Sequence, residues 1–247
     1  MNKHTITKTA ATLALAMGSA AAMAQGLDDC PNISFTQLQT ALKASVQPSG
    51  GPSNGGLDFN MWATVVGKDG TVCWVAKTGN GLNDQWLISR VISAQKANTA
   101  AGLSTNTFAL STANLYTAVQ PGGTLFGLQH SNPVDTAAAY SGNSNNFGTS
   151  LDPLRARKIG GVNVFGGGLA LYAGGKLVGG IGVSGDTSCA DHNVAWRTRE
   201  ALGFGKAQVP AGVAGAAKDN ILYIGSSSTG FEHPVCSAAS KAISDGF

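Results

Sequence analysis

The stretch from residue 160 to 185, GGVNVFGGGLALYAGGKLVGGIGVSG, restricts this chain more than any other. Eleven of its 26 residues are glycine, yet the residues between them are those of strands: Val162, Val164, Leu169, Leu171, Leu177, Val178, Ile181 and Val183. Gly174-Gly175 separates two of the runs, and a glycine pair supplies the positive φ angles of a type I′ hairpin turn. Side chains alternate across a strand, so Gly180, Gly182 and Ser184 share one face while Ile181 and Val183 share the other. A strand with one bare face marks close approach by another backbone or by a ligand. Taken alone, the strand favours a tightly packed helix. A pocket floor for a flat ligand is the sharper alternative.

The first 24 residues read as a signal peptide. Lys3 and Lys8 give a positive start, Ala10 to Ala22 is a short Ala/Leu-rich segment, and Ala22-Met23-Ala24 is an A-x-A-like cleavage site. The expected mature chain begins at Gln25 and is secreted or periplasmic. No later segment is long and apolar enough for a transmembrane span. The formal charge of +3 falls by two with the loss of Lys3 and Lys8, which removes the basic balance that nucleic-acid binding needs. A chain of this size buries a real core as one large domain or two small ones. Cys30, Cys73, Cys189 and Cys236 remain after cleavage. An even count in an exported protein favours two disulfides, with three possible pairings. Cys30–Cys73 and Cys189–Cys236 are the expected pair of bridges, tying the N-terminal segment to the first hairpin and the C-terminal tail to the last long helix.

In chain order, Ser34 and Gln37 form a capping box, Ile33 and Leu38 a hydrophobic staple, and Phe35, Leu38, Leu42 and Val46 one apolar stripe. Residues 59–76 read as a hairpin around Asp69-Gly70, with Trp62 and Trp74 in or beside the core. A helix is expected over 85–101, capped by Asp84 and ended by Gly102. Residues 129–158 are polar and small and read as an insertion, a lid or binding loop in character. It carries His130, Tyr140 and the basic trio Arg155, Arg157 and Lys158, suited to clamping a carboxylate. A helix capped by Ser188 or Asp186 should run to about Leu202, with Asp191 in its first turn. A short strand is expected over 221–224.

Nucleotide motifs fail. Gly166-Gly167-Gly168 lacks the G-x-G-x-x-G spacing, and Gly175-Lys176 precedes Leu177 instead of Ser or Thr. Gly182-Val183-Ser184-Gly185-Asp186 misses the nucleophile elbow by one place, although a Ser184–His192–Asp triad can be drawn on paper. Beyond the leader there are three histidines, His130, His192 and His233. His192 follows the glycine-rich strand and opens the next helix. Neutral imidazole is the usual axial haem ligand.

The segments MWATVVGKDGTVC, SRVISAQKANTA, GGVNVF and GGKLVGGIGVSGDTSCADHNVAW together resemble the GlcG/HbpS family of haem-binding-type domains. Lys96, Ala97, Thr99 and Ala100 fit its helix-end motif. Gly160, Gly161 and Val162 fit its G-G-V-P motif, with Asn163 in the proline place. Gly179 and residues 181–185 fit its V-G-x-I-G-V-S-G motif, and Asp191 fits a later Asp. The resemblance covers most of residues 33–203, interrupted by 129–158, and implies a single domain over residues 25–247 with that stretch as an insertion. It implies a profilin-like α/β (α+β) fold, an antiparallel sheet of about five strands flanked by helices. It also implies a homo-oligomer and, in several members, haem or corrinoid as cofactor. Some members use a His from the first helix, and residues 34–47 here contain none.

Three functions follow in order. The first is an exported haem- or tetrapyrrole-binding protein. Its macrocycle would lie against the Gly180/Gly182 face or at a subunit contact, with Arg155, Arg157 or Lys96 meeting the propionates and His192 or His130 approaching the iron. The second is an enzyme on the same scaffold acting on a small carboxylated or carbonyl compound, with Lys96 as charge partner and His192 as general acid/base. The third is a ligand-free structural or assembly protein.

Overall fold

The computed structural model describes residues 27–226 and 228–247; the expected signal peptide and its cleavage site lie outside the described residues. Helix α1 (Phe35–Ser45) starts as its sequence requires. The Ser34 hydroxyl accepts from the Gln37 N–H at 3.2 Å, and the Gln37 side chain accepts from the Ser34 N–H at 2.8 Å. Such a box contributes about 1 kcal/mol. Strands β1 (Trp62–Gly67) and β2 (Val72–Lys77) form the first hairpin. Cys73 is the extra residue where their register slips between Val65 and Val66.

Helix α2 (Ser89–Gly102) begins later than its sequence pattern predicts, and no side chain caps it. The Asp84 carboxylate accepts from the Gly81 N–H instead, closing the preceding loop. Gly102 stays within the helix. One-turn helices α3 (Tyr116–Val119), α4 (Leu128–Ser131) and α5 (Thr136–Ala139) lead to β3 (Gly168–Ala173) and β4 (Lys176–Ser184). Gly174 and Gly175 have φ of 56° and 74°, the left-handed pair the tight turn demands. Helix α6 (Ser188–Ala201) and a short C-terminal α7 (Ala238–Ser244) follow. Thr187 occupies the N-cap of α6, while Asp186 accepts from the Thr187 N–H one residue ahead.

Among the described residues four strands form one antiparallel sheet in the order β2-β1-β4-β3, one fewer than expected. The 221–224 segment makes only an isolated bridge, Tyr223 to His233. Its backbone is drawn off by side chains: the Leu222 N–H donates to Asn114, and the Ile221 N–H to Asn220 and His192.

Each face of the sheet has its own cover. Ala63, Val65, Leu169, Leu171, Ile181 and Val183 pack with Leu38 and Leu42 of α1 and Val194 and Ala195 of α6. The opposite face takes α2, with Trp62 and Val66 against Val91, Ala94, Ala97 and Ala101. Here lies the bare strip of β4. A Cβ on Gly182 would run into the Ser93 carbonyl and the Ala97 N–H, and one on Gly180 into the Ala97 carbonyl. The glycines therefore seat helix backbone, as the strand alone suggested. The macrocycle placed there by the first functional reading has no room.

The 129–158 insertion is docked, not a free lid. Arg90 of α2 grips the Asp152 carboxylate through Nε (2.9 Å) and Nη2 (2.5 Å), donates to the Ala139 carbonyl, and stacks on Phe147 at 3.7 Å. Backbone bonds between Val72 and both Arg157 and Ala156 tie the insertion to the edge of β2. Both disulfides pair as expected, Cys30–Cys73 and Cys189–Cys236.

Candidate functional site

Helix α2 carries Lys96 to the end of β4, where the chain turns into α6. The Lys96 side chain is 1% exposed. Its ammonium donates to Asp191 Oδ2 (2.5 Å), the Val183 carbonyl (3.1 Å) and Ser184 Oγ (3.3 Å). Those are all three of its donors. Asp191 sits in the first turn of α6 but points back across it, and its Oδ1 accepts from the Gly185 and Asp186 N–H groups. Burial pushes the Asp191 carboxyl up to about 7 against the pull of Lys96, and burial likewise pulls the Lys96 ammonium down. Each charge is expensive alone at this depth, so each is kept by the other.

Above this pair opens a cleft of about 370 Å³, within the usual range for small-molecule sites. Its floor is Lys96, Asp191, Ser184, Asp186 and Ser188; its walls are Trp86, Ile88, Ile92 and Phe165. The walls are conspicuously wet for apolar groups: Trp86 is 47%, Ile88 61% and Phe165 54% exposed. Phe59 extends the rim, edge-on to Trp86 at 5.3 Å. A second cavity of about 340 Å³, beside α1, is lined by no ionisable side chain among the described residues. Other cavities carry charged side chains, one of about 880 Å³ among Arg197, Glu200, Lys206 and Lys218, but the Lys96 cleft sets a buried ion pair beneath exposed apolar walls, which makes it the candidate site.

The other expected site residues lie elsewhere. His192 is fully buried on α6; its Nε2 faces Asn220 Oδ1 and the Ile221 N–H, both at 3.1 Å, and its Nδ1 is buried without a partner. Burial lowers its pKa to about 4. Neither an axial bond to iron nor general acid/base work is open to a ring sealed in this way. Ser184 and His192 thus have separate partners, and the triad drawn from the sequence is not assembled. His130 is exposed on α4 and does not line the cleft. Arg155 is exposed and lies over the Trp74 ring at 4.1 Å, in a separate cavity with Cys30 and Pro31. Arg157 is exposed and gives its carbonyl to Val72.

The walls escaped sequence reasoning. Trp86 and Ile88 fall where a helix was expected, and apolar residues in a helix read as core. The signal was present in the run Gln85-Trp86-Leu87-Ile88, which has too many large apolar residues for one helical face. His233, which the sequence offers only as one of three histidines beyond the leader, also reaches the cleft floor. Its Nε2 lies 2.8 Å from Ser188 Oγ.

Residues 55–200 match a family model described as haem degrading protein HbpS-like. No curated protein matches the chain in sequence. Solved structures that resemble it include the Klebsiella pneumoniae protein ORFY, at 22% identity, 69% coverage of this chain, 90% of that one and a TM-score of 0.46. A PduOC:haem complex is similar at 25% identity, with 69% and 93% coverage and a TM-score of 0.46. HbpS is similar at 17% identity, with 70% and 91% coverage and a TM-score of 0.43. The matched span begins at the loop before β1, takes in the whole sheet with α2, and ends in the last turn of α6. It contains Lys96, Asp191 and every wall of the cleft, and it covers more than half of the chain, which therefore belongs to the HbpS-like family.

Proposed function

We propose that this chain binds haem or a related tetrapyrrole across the mouth of the Lys96–Asp191 cleft. The observation that carries the reading is the wet apolar rim of Trp86, Ile88, Phe165 and Phe59. Exposed apolar groups gathered beside a polar floor mark a binding surface, and a flat macrocycle has the shape to cover them. Family membership supports the ligand class. The fit is partial, and usefully so. The rim suits the ring faces, but among the described residues no His, Cys, Met or Tyr lines the cleft, so this lining offers no usual iron ligand. The ring would be held by its faces and edges. A propionate at the floor would displace the longest Lys96 contact, that to Ser184.

Hemin titration of the chain from Gln25, followed at the Soret band, tests this. Saturable binding should weaken at least tenfold in Phe165→Asp and Ile92→Asp, and stay within about twofold in Arg155→Ala with Arg157→Ala and in His130→Ala. The reverse pattern would move the tetrapyrrole to the Arg155 cavity and discard the cleft.

The same reading places the protein outside the cytoplasm, with residues 1–24 as signal peptide and two disulfides consistent with an oxidising compartment. N-terminal sequencing of the exported fraction should start at Gln25. A homo-oligomer would use the same rim, and Phe165→Asp should then lower the mass seen by light scattering.

A further inference from the structure

The junction of β4 and α6 holds a second chemical arrangement that the tetrapyrrole reading does not use and that does not depend on it. Ser188 is the first residue of α6 and part of the cleft floor. Its Oγ lies 2.8 Å from Nε2 of His233. On the far side of that ring, Nδ1 lies 2.6 Å from the Pro234 carbonyl. A carbonyl only accepts, so Nδ1 carries the proton and Nε2 is left to accept from the Ser188 hydroxyl. His233 is 1% exposed and is covered by Tyr116 at 5.2 Å between ring centroids. Burial lowers its pKa, which keeps the ring neutral near pH 7.

The covalent frame also converges here. Cys189 follows Ser188, Cys236 lies three residues after His233, and the two are joined. The bridge therefore holds the histidine segment against the start of the helix. Oγ also accepts from the Gly166 N–H at 2.7 Å, leaving one lone pair free. The Cys189 N–H, next in the chain, donates to the Cys236 sulfur at 3.3 Å. Sulfur is a weak acceptor, so this N–H keeps much of its donor strength beside Ser188 at the helix N-terminus, the end that favours a developing oxyanion.

We propose that Ser188 and His233 form a nucleophile–base pair that cleaves uncharged carboxylic esters whose apolar acyl group lies against Phe165 and Ile92. The Ser188 oxygen bonds to the ester carbonyl carbon while its proton passes to Nε2 of His233. The tetrahedral adduct breaks the bond to the leaving alkoxide, which takes that proton. Water then attacks the acyl-serine with the same proton relay, releasing the carboxylic acid and restoring Ser188. The Pro234 carbonyl stands where a carboxylate orients the histidine in stronger hydrolases, so turnover is slow.

The test uses the haem-free chain from Gln25, a fluorophosphonate label and p-nitrophenyl butyrate. One adduct per chain should map to the Ser188 peptide, a readout that needs no variant. Hydrolysis should fall by about 100-fold or more in Ser188→Ala and in His233→Gln. Its rate should decline only below the ordinary histidine range of pH. No adduct, an adduct on another residue, or unchanged labelling in His233→Gln overturns the assignment. Each of these leaves the hemin titration unaffected, so the two readings fail separately.

Discussion

Two buried ion pairs on helix α6 make opposite use of the same kind of contact. Arg199 meets Asp219 with two parallel bonds, Nη1 at 2.6 Å and Nη2 at 2.9 Å, and neither side chain reaches solvent. Trp196 lies under its guanidinium at 4.7 Å, and Arg199 also donates to the Ala170 carbonyl. Lys96 meets Asp191 with a single bond and spends its other donors on Val183 and Ser184, beneath an open cleft. The forked guanidinium suits a permanent clamp, because it cannot lose its proton and fixes its partner's orientation. The ammonium is a point charge whose proton affinity moves with its surroundings, so it suits a floor that must accommodate a ligand. The Arg90–Asp152 pair belongs with the first kind and fastens the insertion to α2.

The contrast can be broken most directly by removing one partner from each pair. Asp219→Ala leaves Arg199 charged and sealed, and should cost about 3–5 kcal/mol in urea unfolding. Lys96→Met leaves Asp191 with two backbone donors and a carboxyl able to take up a proton, and should cost about 1–2 kcal/mol. Equal losses would erase the distinction between clamp and floor.

The sealed side should also show itself by pH. His192, beside Arg199 and Asp219, has its pKa lowered from 6.5 to about 4 by burial. Above pH 6.5 the ring is neutral folded and unfolded, and contributes no slope. Between pH 6.5 and 4 the unfolded chain binds the proton and the folded one does not, so stability falls with pH by up to roughly 3 kcal/mol. His233 is shifted the same way and adds to the effect. Urea midpoints at pH 7 and pH 4.5 check this: His192→Gln should flatten the dependence relative to the parent, and an unchanged slope would mean the ring is protonated in the fold.

The bare strip of β4 gives the next test. Gly182→Ala sets a Cβ against α2 backbone, which cannot swing aside, and should cost about 1–3 kcal/mol. The smallest effect belongs to the open surface. Arg155→Ala removes an exposed stack on Trp74 and should change stability by about 0.5–1 kcal/mol in thermal melts.

The fold was largely legible because its signals are local. Ser34 and Gln37 are one turn apart, Gly174-Gly175 is a turn in itself, and Gly180 with Gly182 follows from alternation. The family motifs added the layered sheet. What failed were expectations that needed partners. The fifth strand was lost because Asn114, Asn220 and His192 take the backbone bonds that a strand at 221–224 would need. The lid became a docked segment because Arg90 finds Asp152, 62 residues away. His192 looked available in sequence and is sealed by Asn220 and Trp196.

From the sequence alone came the two hairpins, the capped first helix, the number of disulfides and a strand face too bare to be ordinary core. These depend on φ preferences, on period-two and period-3.6 patterns, and on cysteine count. Which cysteines pair, across 43 and 47 positions, is fixed by the fold. Only the tertiary structure decided what fills that bare face, where the cleft opens and which histidine meets which serine. Burial and hydrogen-bond pairing are relations between distant residues: Ser188 reaches His233 across 45 positions and Lys96 reaches Asp191 across 95. No local preference encodes such a meeting; it exists once helix α2 has settled on the glycines of β4.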